Sequence, residues 1–321
     1  MSRLKSMIKA ATIGATLSAA VLGTSSPAFA ADKLTILLDW FVNPDHAPLI
    51  VAKEKGFFAK HDLDVELIEP SDPSAPPRLV AAGQGDVAVN YQPQLHVQAA
   101  QGLPLTRIGT LVATPLNSLI VLKDGPIKEI ADLKGKKIGY SLAGFEDALL
   151  GTMLGNHGVS IDDVELINVN FSLSPSLYSG QVDAIIGGYR NFELNQMEIE
   201  GKPGKAFFVE EEGVPPYDEL ILTVRNDKTD DPRFARMLAA LEEGVQYLIN
   251  HPDDSWDAFV AAYPNLDDEL NIKAWADTLP RFALRPAALD KARYARFADY
   301  MVKQGLITDA PALETYATVI D

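Results

Sequence analysis

The chain has 321 residues, no cysteine and a formal net charge of −16 at pH 7. A strongly acidic protein is a poor partner for nucleic acid or anionic lipid. The lack of cysteine excludes disulfides, thiolate metal sites and a cysteine nucleophile. The length suffices for two ordinary domains or one large one.

The first thirty residues are predicted to be a secretory signal peptide. Arg3, Lys5 and Lys9 precede a short apolar run, and the segment ends on an A-x-A pattern at 28–30. We expect cleavage after Ala30, and loss of those three positive charges takes the net charge from −16 to −19. An exported chain without disulfides fits a bacterial periplasm better than a eukaryotic extracellular space. The alternative is an uncleaved anchor, although the apolar run is short for a spanning helix.

Beyond the signal peptide, short apolar runs alternate with helical segments, which predicts an α/β fold. The first part of the chain is predicted to contain strands at 34–40, 63–69, 86–91, 105–113 and 118–124, with helices at 48–55, 75–82 and 93–101.

The alternation then restarts and ends in a helical region. The predicted elements are a short helix at 127–135, a strand at 136–141, a helix at 145–156, a strand at 164–170, a helix near 175, a strand at 183–189, a helix at 191–200, two strands within 206–227, and helices at 231–251, 253–263, 266–279 and 288–306.

The restart predicts two lobes, with the first built from 31–119 and 220–321 and the second from 120–219. Two strand-like crossings, near 116–123 and 215–224, would join them. Such a hinge closes a cleft over a ligand.

Candidate ligand-binding residues follow the predicted strand ends, where open α/β sheets bind ligands. Aromatic rings stack on a flat ring, and amides and carboxylates bond to its polar edge. The candidates are Trp40, Asn43, His46, Asn90, Tyr91, Gln92, Asn117, Phe145, Glu146, Tyr189, Asn191, Glu193 and Tyr217.

Several of these candidates also have an ordinary structural interpretation. Glu193 either accepts from an amino group on a heteroaromatic ring or is a first-turn acid favoured by the helix dipole. Trp40 is either a stacking platform or core, and His46 either contacts a ligand or bonds to the helix start. The segment SLAGFED at 141–147 resembles a loop feeding a helix N-terminus, which can hold an anion. It lacks the G-x-x-x-x-G-K pattern of a nucleotide-binding loop.

Catalytic constellations are thin in the sequence. The five histidines form no H-E-x-x-H, and no G-x-S-x-G occurs. We therefore predict a protein that is not an enzyme, with no catalytic residue, no metal and no cofactor.

The residues resemble a known family over nearly the whole mature chain. The segments that show the resemblance are LDWFVNPDHAPLIVAKEKGFF, DLDVELIEPSDPSAPPRLVAAGQGDVAV, IADLKGKKIGY and GGYRNFE. They are similar to substrate-binding proteins of ABC importers that share their fold with the fungal thiamine-pyrimidine synthase. WFVNPDHA followed by EPSDPS resembles the thiamine-pyrimidine branch, whose bacterial members bind formylaminopyrimidine salvaged from degraded thiamine.

The resemblance implies a two-lobed periplasmic binding protein fold of type II, with the ligand cleft between the lobes. It implies a monomeric periplasmic receptor for a thiamine-precursor pyrimidine, either N-formyl-4-amino-5-aminomethyl-2-methylpyrimidine or hydroxymethylpyrimidine. The receptor would deliver this ligand to an ABC permease with its ATPase in the inner membrane. In that site Trp40 would stack on the ring, Tyr189 or Tyr91 would cover the other face, and Glu193 would bind the exocyclic amine.

Two alternatives stay open. The same fold could bind riboflavin or a sulfonate such as taurine, although a sulfonate requires a cationic cleft and Arg190 is the one Arg or Lys at the predicted strand ends. The chain could instead be a pyrimidine-phosphate synthase that uses pyridoxal phosphate. The synthase carries its cofactor lysine four residues before a histidine, whereas Gln92 stands four residues before His96 here, and glutamine forms no Schiff base. The synthase's cysteine-rich run is also missing.

Overall fold

The computed structural model describes residues 31–320. The predicted signal peptide at 1–30 lies outside the described residues. Strands span Asp32–Leu37 (β1), Leu63–Ile68 (β2), Val87–Asn90 (β3), Leu105–Val112 (β4), Asn117–Leu122 (β5), Lys137–Tyr140 (β6), Glu165–Asn168 (β7), Ala184–Tyr189 (β8), Gly204–Phe208 (β9) and Leu220–Arg225 (β10).

The α-helices of the described part lie between these strands and after the last of them. They span Ala47–Glu54 (α1), Phe57–Lys60 (α2), Pro76–Ala81 (α3), Gln92–Ala100 (α4), Glu146–Asn156 (α5), Leu173–Tyr178 (α6), Glu193–Ile199 (α7), Pro232–Asn250 (α8), Pro252–Ala262 (α9), Glu269–Thr278 (α10) and Lys291–Lys303 (α11).

The strands form two five-stranded mixed sheets, in the orders β2-β1-β3-β10-β4 and β7-β6-β8-β5-β9. In the first sheet β1 is parallel to β2 and β3, and β10 is antiparallel to β3 and β4. The second sheet repeats the pattern, with β6 parallel to β7 and β8, and β5 antiparallel to β8 and β9. The α/β class predicted from the sequence is confirmed, while the predicted lobe boundaries stay a prediction.

Hydrophobic periodicity accounts for the long helix α8. Its buried residues Phe234, Met237, Leu241 and Leu248 recur at helical spacing, which places one apolar stripe against the core. Position 244 on the same helix is a glycine, because a Cβ there would come within 2.8 Å of the Ala52 Cβ on α1. The two helices thus pack closely over the first sheet.

Some predicted boundaries shift. The first strand ends at Leu37, and the buried Leu38 opens the turn. The short helix α2 was not predicted; it follows Gly56, which adopts a left-handed φ of +77°. The predicted helix at 127–135 is a 3-10 turn over Ile130–Leu133.

Candidate functional site

A cleft opens between the carboxyl ends of β1 and β3 in the first sheet and those of β6, β7 and β8 in the second. Its empty space is about 510 Å³, including open solvent at the mouth. The lining residues are Asp39, Trp40, Asn43, Asp45, Tyr91, Asn117, Ser141, Leu142, Phe145, Glu146, Leu173, Gly187, Tyr189, Phe192 and Glu193.

Most of the predicted candidates meet at this cleft. The eight that line it are Trp40, Asn43, Tyr91, Asn117, Phe145, Glu146, Tyr189 and Glu193. The other five are engaged inside the protein and lie off the lining: His46, Asn90, Gln92, Asn191 and Tyr217. Whether any of the thirteen touches a ligand stays a prediction.

The turn after β1 is held by its own polar side chains. Asn43 caps a 3-10 turn by accepting from the Asp45 N–H (2.8 Å), while the Asn43 N–H donates to His46 Nδ1 (3.3 Å). His46 Nδ1 therefore accepts, which leaves the ring proton on Nε2 to donate to Asp39 Oδ1 (2.9 Å). Tyr91 OH donates to the other oxygen of Asp39 (2.7 Å). His46 thus orients Asp39 and Tyr91 from beneath the cleft.

Aromatic rings form the walls. Tyr91 stacks on Phe145 with centroids 5.4 Å apart and planes 26° apart, so one ring from each sheet contributes to this wall. Trp40 is also on the lining and lies edge-on to Phe171 at 4.6 Å; Phe171 packs against Phe41 at 4.5 Å, and both phenylalanines lie off the lining. This arrangement suits a flat ring ligand.

Glu193 opens α7 directly below the end of β8. Its Oε2 accepts from the Tyr189 N–H (2.6 Å), and its Oε1 receives no hydrogen bond from the described residues. Burial raises the pKa of Glu193 to about 7. The carboxyl therefore keeps one oxygen available to an amino group on a ligand.

Glu146 is the second buried acid of the lining, at the start of α5. Its Oε2 accepts from the N–H groups of Ser141 (2.8 Å) and Leu142 (2.9 Å). Burial raises the pKa of Glu146 to about 8, because desolvation outweighs the two backbone hydrogen bonds. The carboxyl of Glu146 is thus mostly protonated at neutral pH.

Asp45 ties the turn after β1 to the second sheet. Its Oδ1 accepts from Asn191 Nδ2 (2.6 Å), which also donates to Thr278 Oγ1 (2.7 Å). Burial raises the pKa of Asp45 to about 6. Asn191 therefore serves as a bridge across the cleft rim in this structure, and this placement was not apparent from the sequence.

Glu219 joins the two chain crossings. Fully buried, it accepts through Oε2 from the N–H groups of Leu116 (2.6 Å) and Asn117 (2.9 Å) and from Tyr217 OH (3.2 Å). On the other side of the same crossing, the Arg190 N–H donates to Leu116 O (3.0 Å). These bonds place Asn117 on the cleft and hold Tyr217 behind it.

Arg190 does not offer its charge to the cleft. Its guanidinium binds both oxygens of Glu210, at 2.6 and 2.8 Å, and lies 4.0 Å from the ring centroid of Phe208. No Lys or Arg is among the lining residues. The electrostatic environment of the cleft is therefore set by four acids: Asp39, Asp45, Glu146 and Glu193.

Asn90 and Gln92 are fixed by bonds away from the cleft. Asn90 Nδ2 donates to Gln98 (2.9 Å), and Gln92 Oε1 accepts from the Asp218 N–H (2.8 Å). Gln92 Nε2 also lies 3.3 Å from His96 Nε2, and burial lowers the pKa of His96 to about 3, so this ring is neutral. These amides support the cleft rather than line it.

Seven lining residues were missing from the predicted set: Asp39, Asp45, Ser141, Leu142, Leu173, Gly187 and Phe192. Ser141 directly follows β6 and Asp39 lies in the turn after β1, so the strand-end rule covers them too. A glycine inside a predicted strand is typical of close backbone approach, which was the available signal for Gly187. Leu173 and Phe192 carry no such signal.

The described residues contain no cluster of three or more side chains suited to a metal ion. Within the same part of the chain, no helix combines the length and the apolarity needed to cross a membrane.

The raised carboxyl pKa values predict how stability depends on pH. In the unfolded chain these glutamates ionise near 4.5, whereas in the fold the values are about 7 for Glu193 and Glu219 and about 8 for Glu146. The folded state binds more protons in this window, so stability falls as the pH rises through the folded-state values. His96, which stays neutral in the fold, has the opposite effect on stability, but only below the pKa of 6.5 that it has in the unfolded chain.

We therefore expect the melting temperature of the ligand-free protein to fall between about pH 6.5 and about pH 8.5. The fall should be smaller in Glu146→Gln, which cannot ionise. Thermal melts in matched buffers measure both, and a flat or rising melting temperature in the parent protein would contradict the assignment.

Comparison with known proteins identifies the family. The NMT1/THI5-like family model matches residues 43–255. The chain belongs to the NMT1/THI5-like family. It is 55% identical over 296 residues to a thiamine biosynthesis protein of Haemophilus influenzae, covering 92% of this chain and 94% of that protein.

A second NMT1/THI5-like relative is the formylaminopyrimidine-binding protein of Halalkalibacterium halodurans, which is 32% identical over 241 residues and covers 74% of this chain and 73% of its own. The 4-amino-5-hydroxymethyl-2-methylpyrimidine phosphate synthase of Legionella pneumophila also matches, at 27% identity over 257 residues, covering 78% of this chain and 80% of its own. Members of this family therefore include both binding proteins and synthases by name.

Solved structures confirm the predicted periplasmic binding protein fold. The alkanesulfonate-binding protein of Xanthomonas axonopodis pv. citri, bound to MOPS, superposes with a TM-score of 0.70 at 17% identity. The match covers 89% of this chain and 98% of that one. At this identity the likeness concerns the fold alone.

Proposed function

We propose that this protein is an extracytoplasmic receptor for a thiamine-related aminopyrimidine, namely formylaminopyrimidine or hydroxymethylpyrimidine. The observation that carries the proposal is an aromatic cleft lined by four acids and by no Lys or Arg. An aminopyrimidine presents a flat ring to aromatic walls and amino N–H donors to carboxylates. The formylaminopyrimidine-binding relative supports the same ligand class.

The residues take distinct roles in this proposal. Trp40 and Tyr189 stack on the ring, Tyr91 completes the wall with Phe145, and Glu193 accepts from the exocyclic amine. The receptor works in the periplasm as a monomer and delivers the pyrimidine to an ABC permease with its ATPase. Delivery to an ABC permease is inferred from the family resemblance and from the periplasmic binding protein fold.

The composition of the cleft argues against a sulfonate ligand. A sulfonate would need cationic side chains or free N–H donors facing it, and the lining residues include no Lys or Arg. Arg190, the one basic residue at the predicted strand ends, is already paired with Glu210. Taurine should therefore bind far more weakly than the pyrimidine.

The enzyme alternative finds no support at Gln92. Gln92 stands where the synthases carry their cofactor lysine, and both its backbone and its side chain bond to Asp218. With no amine at this position, the chain has no group there to form a Schiff base.

Tryptophan fluorescence tests the proposal. The chain has three tryptophans, and two of them, Trp256 and Trp275, pack against each other 5.2 Å apart and off the cleft lining. Addition of either pyrimidine should change the emission saturably, and Trp40→Phe should remove that change. Trp256→Phe is the control and should keep it. Emission unaffected by both pyrimidines, or a change that survives in Trp40→Phe, would contradict the assigned site.

A further inference from the structure

The loop before α5 places Ser141 and Leu142 on the cleft lining, and the chain itself supplies the acceptor for their N–H groups. Loops that lead into a helix N-terminus commonly bind anions through such N–H groups. Here the N–H groups of Ser141 and Leu142 both donate to Glu146 Oε2, at 2.8 and 2.9 Å. The next acid, Asp147, accepts from the Gly144 N–H (2.9 Å). An external anion would find these donors occupied.

The place occupied by Glu146 is built into the second sheet. The side chain is buried, with 3% of its surface exposed, and its carboxyl lies against Gly187 on β8. Gly187 has a φ of +97°, and a Cβ there would lie 2.8 Å from Glu146 Cδ and would overlap its Oε1. Oε1 lies against Gly187 and has no hydrogen-bond partner among the described residues. The fold thus reserves this space for a carboxyl group.

We propose that Glu146 determines ligand specificity by filling the anion-binding loop, so that the cleft admits uncharged or cationic aminopyrimidines and excludes ligands that carry a phosphate or sulfonate. The choice of pyrimidine rests on the proposed function, whereas the blocked loop does not. The receptor would thereby discriminate between a hydroxymethylpyrimidine and its phosphate ester.

Occupancy of the donors and repulsion by charge can be told apart. Because burial raises the pKa of Glu146 to about 8, its carboxyl is mostly uncharged at neutral pH and blocks by accepting the two N–H groups. Gln in its place keeps an acceptor oxygen at the same distance along the side chain. Ala removes the acceptor and frees both donors. Glu146→Gln should therefore keep the block and Glu146→Ala should lose it.

The test titrates parent and variants with 4-amino-5-hydroxymethyl-2-methylpyrimidine, its phosphate ester and inorganic phosphate. The parent and Glu146→Gln should bind the alcohol and reject the ester. Glu146→Ala should bind the ester at least about tenfold more tightly than the parent does, as expected for charge-assisted bonds to freed donors. Asp147→Ala is the matched control. It frees only the Gly144 N–H, which lies off the cleft lining, so this variant should gain no affinity for the ester.

Two outcomes would overturn the inference: a parent protein that binds the ester as tightly as the alcohol, or a folded Glu146→Ala that gains no affinity for the ester or for inorganic phosphate. Circular dichroism establishes folding, and Glu146→Ser serves as a second variant that empties the loop. Failure of the parent to bind the alcohol would instead count against the proposed function. In that case the rise in melting temperature caused by inorganic phosphate, expected in Glu146→Ala and absent in the parent, still decides whether the loop is blocked.

Discussion

Glu193→Gln is expected to weaken binding of the aminopyrimidine by about 1–3 kcal/mol, the range for a buried hydrogen bond to a charged group. The glutamine can keep the bond to the Tyr189 N–H through its amide oxygen. Its amide nitrogen then faces the amino group of the ligand, so that donor meets donor. Calorimetric titration of parent and variant measures the difference.

The pH profile separates this role from a structural one. The carboxylate form of Glu193 is the acceptor, and its pKa of about 7 predicts an affinity that rises as the pH rises through neutrality. Glu193→Gln should lose that part of the rise. Glu198→Gln, an exposed acid on the same helix, is the matched control and should keep the parent affinity. An unchanged affinity in Glu193→Gln would remove Glu193 from the site.

Gly187→Ala should produce the largest combined loss of stability and binding. The left-handed φ of +97° costs an alanine about 1–2 kcal/mol. The new Cβ would also collide with the carboxyl of Glu146, which is held by two backbone N–H groups and cannot easily move. We expect a lower melting temperature and at least about a tenfold loss of pyrimidine affinity, of the order of 1.4 kcal/mol.

A matched glycine isolates the collision from the backbone strain. Gly201 has a φ of +70° and open space where its Cβ would be, so Gly201→Ala carries strain alone. The double variant Gly187→Ala with Glu146→Ala should recover part of the lost stability, because the colliding groups are then coupled. Equal losses in Gly187→Ala and Gly201→Ala, with no recovery in the double variant, would show that the Glu146 carboxyl does not depend on this glycine.

The strand-end rule accounts for what could be predicted of the site. Tyr91, Tyr189 and Glu193 lie at or just after the ends of strands whose apolar runs are legible in the sequence, and within each sheet the parallel strands bring their carboxyl ends to one edge. The α/β class followed from the same alternation of apolar runs and helical segments. Local pattern was sufficient because both features depend on neighbours along the chain.

Burial of polar side chains through distant partners could not be predicted in this way. Asn191 turns toward Asp45 on the turn after β1 because Thr278 on a far helix completes the contact. No periodicity in a sequence reports a partner that lies more than eighty residues away. Residues that follow a strand can therefore face a ligand or support the site from behind, and tertiary contacts decide which.

Glu146 illustrates the same limit from the opposite side. The segment SLAGFED resembles an anion-binding loop, and its backbone donors are indeed arranged as the pattern suggests. Their acceptor is nevertheless the glutamate of the segment itself, bent back onto Ser141 and Leu142 against Gly187. The motif is thus present, while its occupant depends on a glycine some forty residues later.

Calorimetric titration of the mature chain with formylaminopyrimidine, with taurine and riboflavin alongside, tests the central claim most directly. A receptor for a thiamine-related pyrimidine should give saturable one-to-one heat with formylaminopyrimidine and none with taurine. Heat from taurine or riboflavin together with silence from the pyrimidine would contradict the account, because the acid-lined aromatic cleft would then serve a different ligand.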